Sequence, residues 1–261
     1  MSPRTWPDRL RDRCDRLAGK LEFAAAKSSD FLTVISTYLG RRAVRLGKDP
    51  RRIHRFVSGA DTDAIPSLDR RECRRQLNLP LDKTLIGYMA NFHPDEQLLA
   101  DALQVVFRER PDVEMFAIGP DFYGGEQALR ERGIADYVRL IGRVPFKDVP
   151  IYLGAADMLL VPLADSTFNR SRWPNKIGDH LAAGRPQVAC AVGDVEAFVR
   201  AYRVGLSCKP ESADFAKAII ALVDDPAMRQ EMGREARHVA ETVFSWRRRV
   251  QALLRKLAAS R

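Results

Sequence analysis

The chain has 261 residues, of which 46% are apolar and 30% are charged, a balance typical of a globular protein and not of a disordered one. This length allows one large domain, or one domain with a substantial piece of another. The net charge of +9 is concentrated near the start, because residues 1–60 hold 14 Lys and Arg against 6 Asp and Glu (14 − 6 = +8) and the remainder holds 29 against 28 (+1).

The basic segment 1–60 has two interpretations. It would suit a phosphate-rich surface, either nucleic acid or anionic lipid, or it would form the solvent-exposed faces of two helices. The segment has few aromatic side chains to stack on bases (Trp6, Phe23, Phe31 and Tyr38), so nucleic acid is not expected as a partner. Contact with an anionic membrane surface stays open.

The four cysteines, Cys14, Cys73, Cys190 and Cys208, lie far apart and lack the spacing of metal ligands. They predict reduced thiols in a cytoplasmic protein. The first residues are polar and charged, and no apolar run approaches the roughly 18 residues of a membrane span. We therefore expect no signal peptide, and at most a peripheral position at the inner face of the membrane.

Helix and strand patterns alternate twice in the first sixty residues. Apolar residues spaced by three and four predict a helix over residues 6–27, and a strand at 31–35, a helix at 37–47 and a strand at 52–57 follow. A turn at 58–61 and a short helix at 70–77 come next. We expect a domain boundary in this region, near residue 62.

A regular alternation of strands and helices begins at Lys83. Apolar strands are predicted at residues 84–89, 113–119, 138–141, 157–161, 187–190 and 205–208. Helices are predicted at residues 95–108, 126–132, 147–155, 174–183, 195–202, 213–224, 226–242 and 246–258. Such alternation forms right-handed βαβ units, so the predicted fold class is α/β, a Rossmann-like parallel sheet with helices on both faces.

In sheets of this kind, ligands bind beyond the carboxyl ends of the strands. This rule selects the loops at residues 90–95, 119–124, 143–146, 162–173 and 191–194. No glycine-rich dinucleotide fingerprint or phosphate-binding P-loop is present, which disfavours a nicotinamide cofactor and a kinase-like site.

The segment from Trp173 to Cys190 predicts one helix and one buried strand. Pro174 suits a first helical position, and Gly184 suits the residue that ends the helix. Lys176 and Asp179 fall in the first turns, where a cation and a carboxylate at the positive end of a helix would cradle a phosphorylated ligand. The same spacing also fits an exposed ion pair between residues three apart.

Several sequence blocks, in order, resemble the C-terminal half of retaining glycosyltransferases with the GT-B fold, of the group 1 (family 4) type. Residues 29–36 resemble the last strand of that family's N-terminal domain, and Val57-Ser58-Gly59-Ala60-Asp61 resembles its interdomain crossing. Residues 85–91, 138–145 and 155–162 resemble blocks of its C-terminal domain, and Phe244-Ser245-Trp246 resembles the start of its last helix.

The resemblance implies three parts. Residues 1–62 would be a remnant of the N-terminal domain with the crossing, residues 63–242 a nucleotide-sugar-binding Rossmann-like domain, and residues 243–261 a C-terminal helix. The implied function is the donor half of a sugar transfer from a nucleotide sugar, with retention of configuration and with no metal or other cofactor. The resemblance also implies that an N-terminal, acceptor-binding domain is needed for a complete enzyme.

The resemblance also implies roles for single residues. Arg143 and Val144 would contact the base, Lys176 would face the diphosphate, and Asp179 would bind the ribose. The full implied set of donor-binding residues is Asn91, His93, Arg143, Val144, Pro174, Asn175, Lys176 and Asp179.

Three departures from the family's pattern limit this interpretation. Asn91 and Glu96 stand where the family often has an Arg and a Lys on the phosphates. Ser171 stands where its first acidic residue is expected, and Asp165 is a weak substitute, so no catalytic residue is assigned. Only about sixty residues precede the C-terminal domain. We therefore expect a fragment, a chain completed by a separate N-terminal-domain chain, or a protein that binds without catalysing.

Two other functions stay open at this stage. One is a non-catalytic nucleotide-sugar-binding subunit of a two-chain transferase. The other is a sugar-nucleotide epimerase-type enzyme with the same architecture, which would need acidic and histidine groups from both domains. Only His93 and His180 are candidates for the histidines, and a structural role explains each of them more simply.

Overall fold

The computed structural model describes residues 6–91, 94–120 and 122–259, and these residues include two separate parallel sheets. The smaller sheet pairs β1 (Leu32–Val34) with β2 (Ile53–Arg55). Two helices accompany it, α1 (Trp6–Ser28) and α2 (Thr37–Arg45). All four elements lie where the sequence predicts them, although both strands are shorter than predicted.

The larger sheet of the described residues has six parallel strands in the order β5-β4-β3-β6-β7-β8. The strands are β3 (Thr84–Met89), β4 (Val113–Ile118), β5 (Val138–Gly142), β6 (Met158–Val161), β7 (Gln187–Cys190) and β8 (Gly205–Cys208). Every residue of β4, β6 and β7 is buried, as strands covered on both faces require. The predicted α/β class, a parallel sheet flanked by helices, is confirmed.

Helices connect these strands and cover the sheet. They are α3 (Arg70–Gln76), α4 (Glu96–Glu109), α5 (Glu126–Glu131), α6 (Val149–Ala155), α7 (Thr167–Ser171), α8 (Lys176–Ala182), α9 (Asp194–Tyr202), α10 (Ser212–Asp224), α11 (Pro226–Thr242) and α12 (Trp246–Ala259). α4 packs against α10, and α8 packs against α11. Within the described part of the chain, none of the helices combines the length and the hydropathy that crossing a bilayer requires.

Two differences from the predicted elements lie before β7. Residues 167–171 form α7, which the sequence predicts to be part of a loop, and the Ser166 side chain caps its first turn. α8 begins at Lys176 rather than at Pro174. The Pro174 carbonyl accepts a hydrogen bond from the Ile177 N–H three residues on, so the chain enters the helix through a tighter, 3₁₀-like turn.

The seam between β3 and β6 lies at the centre of the larger sheet, where the strand order changes direction. The two strands pair only at Ile86 with Met158 and at Gly87 with Leu159. A Cβ atom on residue 87 would lie 2.6 Å from Leu159 Cδ2 and 2.9 Å from Phe116 Cζ, so a larger residue there would require these buried side chains to shift. Beyond this pairing, the carboxyl ends of β3 and β6 leave space between them.

A buried ion pair closes the amino end of the same seam. Asp157 accepts hydrogen bonds from Arg74 Nη2 at 2.5 Å and from the Leu85 N–H at 2.7 Å, and it also pairs with Arg70. Its own N–H donates to the Leu85 carbonyl at 2.8 Å. Both carboxylate oxygens are engaged, which compensates the buried charge and ties α3 to both strands of the seam.

The segment between the two sheets is held from two sides. The Ala60 N–H donates to the Phe244 carbonyl at 2.8 Å, and the Ala60 carbonyl accepts from the Trp246 N–H at 3.1 Å. On the other side, Gly59 lies against Gly178 of α8, so closely that a Cβ on residue 178 would lie 2.6 Å from the Gly59 carbonyl oxygen. The segment therefore has little room to move without displacing α8.

Hydrogen bonds also join the smaller sheet to the loops of the larger one. The Ser36 hydroxyl donates to the Ser171 carbonyl at 2.8 Å. The Thr37 N–H and Arg55 Nη1 both donate to Asp194 Oδ2, each at 2.8 Å. These bonds fix the smaller sheet against α7 and the start of α9.

The substitution Gly178→Ala tests the contact between α8 and the connecting segment. Replacing glycine by alanine in an unconstrained helix stabilises it by up to about 1 kcal/mol. Here the new methyl group would overlap the Gly59 carbonyl, so we expect the free energy of unfolding to fall by about 1–3 kcal/mol in urea denaturation. Gly19→Ala is the matched control, because nothing lies within 4 Å of a Cβ atom at that position of α1. If Gly178→Ala stabilised the protein as much as Gly19→Ala, the described packing would be wrong.

Candidate functional site

A cavity of about 570 Å³ opens at the carboxyl edge of the larger sheet, beyond the seam. We call it the carboxyl-edge cleft. The ends of β3 to β6, the loops that follow them and the start of α8 bound it. Seven of the residues that the sequence predicts as donor-binding line this cleft: Asn91, Arg143, Val144, Pro174, Asn175, Lys176 and Asp179. The eighth, His93, lies outside the described residues, and the ligand of the other seven stays a prediction.

Lys176 projects from the start of α8 into the cleft. Its ammonium lies 4.7 Å from the centroid of the Tyr88 ring, a cation–π contact. No carboxylate or hydrogen-bond acceptor among the described residues engages it. Burial lowers the pKa of Lys176 to about 7, and the positive charge of Arg172 lowers it further. The ammonium therefore has no ion-pair partner among the described residues, and the carboxylates of Asp95 and Asp179 offset its charge only in part.

Asp179 lies one turn further along α8 and is half-buried. Burial raises the pKa of its carboxyl group to about 6, and the nearby carboxylate of Asp61 acts in the same direction. No ion pair joins Asp179 to Lys176, although both side chains are fully described. The exposed i,i+3 ion pair that the spacing also allowed is therefore absent, and both groups are left for other partners.

Arg172, which the sequence predictions did not include, also lines the cleft. Its Nη2 donates to Asp95 Oδ2 at 3.2 Å, its guanidinium lies 4.8 Å from the centroid of the Phe168 ring, and its buried Nε has no acceptor. Asp95 is buried and also accepts from Asn169 Nδ2 at 2.8 Å and from the Ala164 N–H at 3.0 Å. Asp95 thus positions the loop that carries Arg172.

The signal for this network was weak in the sequence. Asp95 stands at the start of a predicted helix, and Arg172 falls within a predicted ligand loop, but 77 residues separate them. Only the order of the strands brings the two loops together, because β3 and β6 are neighbours in the sheet. The sequence indicated only that Asp95 and Arg172 each lie in a predicted ligand-binding loop.

The loop after β5 forms the far end of the cleft. Gly142 has a φ of +77°, which lets the chain turn sharply after the strand and presents Arg143 and Val144. The Gly142 carbonyl accepts a hydrogen bond from the Gly119 N–H at 2.9 Å. Phe146 also lines the cleft, and 62% of its surface is exposed, so this end offers an apolar ring and backbone groups to a flat ligand.

Three residues weighed in the sequence analysis do not line the cleft. Asp165 forms a bidentate ion pair with Arg170, with both contacts at 2.6 Å. The Ser171 hydroxyl donates to the Phe168 carbonyl at 2.9 Å. His180 is fully buried, and burial lowers its pKa to about 3, so it stays neutral at physiological pH. A structural role suits His180 better than a catalytic one.

The groups of the cleft define its chemistry. Three cations, Arg143, Arg172 and Lys176, line it, and such cations recognise phosphate or carboxylate oxygens. Asp179 accepts hydrogen bonds from hydroxyl groups when it is ionised. No cluster of three or more metal-ligating side chains occurs among the residues that the structure describes. The arrangement therefore fits an anionic ligand that also carries hydroxyl groups.

The sequence is similar to known glycosyltransferases. A family model described as "Glycosyl transferases group 1" matches residues 83–225. A D-inositol 3-phosphate glycosyltransferase 2 from Catenulispora acidiphila is 28% identical over 247 residues, which are 88% of this chain and 56% of the relative. A D-inositol 3-phosphate glycosyltransferase from Corynebacterium aurimucosum is 30% identical over 205 residues, 72% and 47% of the two chains. The chain spans about half the length of the curated relatives that it matches.

Solved structures share the fold. Alr3699/HepE from Anabaena, in complex with UDP and glucose, superposes with a TM-score of 0.75 at 21% identity, over 94% of this chain and 66% of that one. The sucrose-phosphate synthase of Thermosynechococcus elongatus gives a TM-score of 0.74 at 22% identity, over 93% and 62%. At these identities the likeness concerns the fold.

The lowered pKa of the half-buried Lys176 predicts how the stability of the protein depends on pH. Its folded-state pKa of about 7 lies below the ordinary 10.5, so the folded protein carries a penalty below pH 7 that is relieved as the pH rises towards 10.5. We expect Lys176→Met to raise the free energy of unfolding at pH 6 by at least about 1 kcal/mol, and to flatten the rise in stability between pH 7 and 10.

Urea denaturation at pH 6, 7.5 and 9 measures this effect. Lys217→Met is the control, because Lys217 lies exposed on α10 and should leave the profile unchanged. Parallel profiles for Lys176→Met and the unchanged chain would show that the ammonium is not desolvated.

Proposed function

The chain belongs to the group 1 glycosyltransferases, and from this premise we infer that the carboxyl-edge cleft holds a nucleotide-sugar donor. The single observation that carries the proposal is the pair of cations at the start of α8 and in the loop before it, Lys176 and Arg172. They face one cavity of about 570 Å³, within the range of ligand pockets in proteins. A diphosphate would supply the missing negative charge.

The proposed pose begins with the phosphates. Lys176 would bind a phosphate oxygen, and the ligand's charge would hold its ammonium protonated despite burial. Arg172, already positioned by Asp95 at 3.2 Å, would offer its remaining N–H donors to the other phosphate. Asn91, which lines the cleft, would donate an amide hydrogen bond without adding charge. Arg172 would thus supply part of the positive charge for the phosphates that the neutral Asn91 does not.

The nucleoside would extend from there along the cleft. Asp179, ionised above about pH 6, would accept hydrogen bonds from the two ribose hydroxyls. The base would lie at the loop of Arg143 and Val144, where Gly142 makes the sharp turn. The complexes of Alr3699/HepE with UDP and UDP-glucose support a ligand of this class on this fold.

Sugar transfer follows from the same contacts. When the bond between the sugar and the diphosphate breaks, negative charge grows on the leaving phosphate, and Lys176 and Arg172 would stabilise it more strongly than in the ground state. We propose transfer with retention of configuration and without a metal ion. We place the acceptor contacts on an N-terminal domain, since transfer requires the acceptor to be held against the donor and shielded from water.

A second candidate is a nucleotide-sugar-binding subunit without catalysis. The observation that favours it is the position of Ser171, whose hydroxyl bonds to the Phe168 carbonyl and whose carbonyl accepts from Ser36. A residue turned towards the smaller sheet does not act on a sugar in the cleft.

Calorimetric titration with UDP, GDP and ADP tests the donor site. We expect one of the three to bind clearly. Lys176→Ala and Arg172→Ala should each weaken that binding by about 1.5–3 kcal/mol, or roughly 10- to 100-fold, as for a lost charged hydrogen bond. Asp179→Ala should also weaken nucleotide binding.

Arg170→Ala is the matched control, because Arg170 lies two residues from Arg172 but pairs outside the cleft with Asp165. The affinity of the Arg170→Ala variant for the nucleotide should equal that of the unchanged chain. Absence of binding by all three nucleotides would overturn the proposal, and equal losses for Arg170→Ala and Arg172→Ala would show that the site is misplaced.

Donor hydrolysis separates the two candidate functions. If the chain carries catalytic groups, it should release the nucleoside diphosphate slowly from the matching nucleotide sugar, and Lys176→Ala should reduce the rate at saturating donor. Product is measured with a coupled assay for the diphosphate. Clear donor binding with no release above the uncatalysed rate would favour the non-catalytic subunit.

A further inference from the structure

A second cavity lies at the opposite edge of the larger sheet, where β6 and β7 begin. Its volume is about 720 Å³, and we call it the amino-edge cleft. It is bounded by the segments before these strands, which include Asp157 and Arg185, and by the segment 67–70. One face of α11 forms its remaining wall, where Gly233 approaches the Gly184 carbonyl closely enough that a Cβ would lie 2.7 Å from it.

The charge of this cleft is unbalanced. Three carboxylates and five arginines line it, and the arginines are Arg70, Arg185, Arg229, Arg234 and Arg237. The carboxylates are already engaged. Asp69 accepts from the Glu72 N–H, Asp157 is saturated by Arg70, Arg74 and the Leu85 N–H, and Glu241 pairs with Arg237. Among the described residues, Arg185, Arg229 and Arg234 have no carboxylate partner.

Backbone carbonyls hold some of these arginines in place but do not neutralise them. Arg185 Nη2 donates to the Leu68 carbonyl at 2.9 Å and to the Gly154 carbonyl at 2.6 Å. Arg229 Nη1 donates to the Val223 carbonyl at 2.6 Å. A carbonyl is a dipole, so the half-buried guanidinium groups of Arg185 and Arg229 keep their net charge and part of the desolvation cost that accompanies it.

Two further observations show that the guanidinium groups are not satisfied by the protein. The Nε atom of Arg185 is buried and has no acceptor. Burial lowers the pKa of both Arg185 and Arg229, and the neighbouring Arg70 acts in the same direction on each, whereas the Asp157 carboxylate acts in the opposite direction. Like charges are therefore held close together, and the lining holds five arginines against three carboxylates, of which Asp69 has no described cationic partner.

Arg234 differs from the others in this cleft. It is exposed on α11 one turn from Arg237, and no described residue accepts a hydrogen bond from it. A purely structural explanation accounts for Arg185, Arg229 and Arg237, which anchor carbonyls. Arg234 anchors no carbonyl and is solvated in the free protein, so its guanidinium is available to an anion between α11 and the start of β7 without the loss of a contact to the described residues.

The guanidinium groups, as hydrogen-bond donors, indicate which kind of anion the cleft would bind. Guanidinium groups bind phosphate oxygens in a bidentate manner, and several of them arranged around one cavity match an anion with more than one phosphate. A cavity of about 720 Å³ also exceeds the space that a single phosphate fills. We propose that the amino-edge cleft is a second anion site, separate from the carboxyl-edge cleft, which binds a soluble molecule with two or more linked phosphates.

Pyrophosphate is the probe for this site. The carboxyl-edge cleft would also attract it, so the calorimetric titration is carried out on the full chain with Lys176→Ala and Arg172→Ala combined. We expect pyrophosphate to bind this variant at one site. Adding Arg234→Glu should weaken the binding at least tenfold while leaving the melting temperature unchanged, because Arg234 is exposed and bonds to no other described residue.

Lys217→Glu supplies the matched control, since it makes the same change of charge at an exposed position of α10 outside the cleft. It should alter the affinity less than twofold at 150 mM salt. Failure of pyrophosphate to bind the double variant would overturn the proposal. So would equal losses for Arg234→Glu and Lys217→Glu, which would indicate a general effect of net charge.

Discussion

The seam between β3 and β6 is the constraint on which the rest of the structure depends. The strand order changes direction there, and the two strands pair over only two residues each, with Gly87 allowing the close approach. Asp157 closes the amino end of the seam through Arg74 and Leu85. At the carboxyl end, the described parts of the loops from both strands surround a cavity instead. The carboxyl-edge cleft therefore lies at one end of this strand pair, whereas the amino-edge cleft lies beside the other end, where β6 and β7 begin.

Both clefts concentrate positive charge that the protein itself leaves uncompensated. In the carboxyl-edge cleft, Lys176 lies over the Tyr88 ring without a carboxylate, and Arg172 shares only one hydrogen bond with Asp95. Such groups make the free protein less stable than an apolar or paired arrangement would. An anionic ligand, as proposed for each cleft, would recover that loss on binding, so the stability lost in the free state would become binding energy and select for ligands that carry charge.

The sequence was sufficient for the fold and for part of the candidate site. Parallel strands buried on both faces appear as unbroken apolar runs, which is why β3 to β8 are recognisable without a structure. Lys176 and Asp179 were predicted together because they lie within one turn of one helix. Arg172 and Asp95 were not, since their contact depends on the strand order. The amino-edge cleft was missed for the same reason, because only the fold brings Arg70 and Arg185, from two separate segments, beside the three arginines of α11.

The junction of Gly59, Gly178 and Trp246 has a consequence for engineering. A Cβ on residue 59 would lie 2.7 Å from the Trp246 backbone nitrogen, and one on residue 178 would lie 2.6 Å from the Gly59 carbonyl oxygen. A larger residue at position 59 or 178 would therefore require two segments that are distant in sequence to shift at the same time. Trp173 packs against Phe244, whose carbonyl lies beside Gly59, so the loop at residues 162–173 is tied to that junction, whereas no described contact ties the loop at residues 143–146 to it. Under the proposed function, the preference for the nucleotide base should therefore be exchangeable by grafting residues 143–146 between relatives, with the three-segment junction left untouched as the fixed frame.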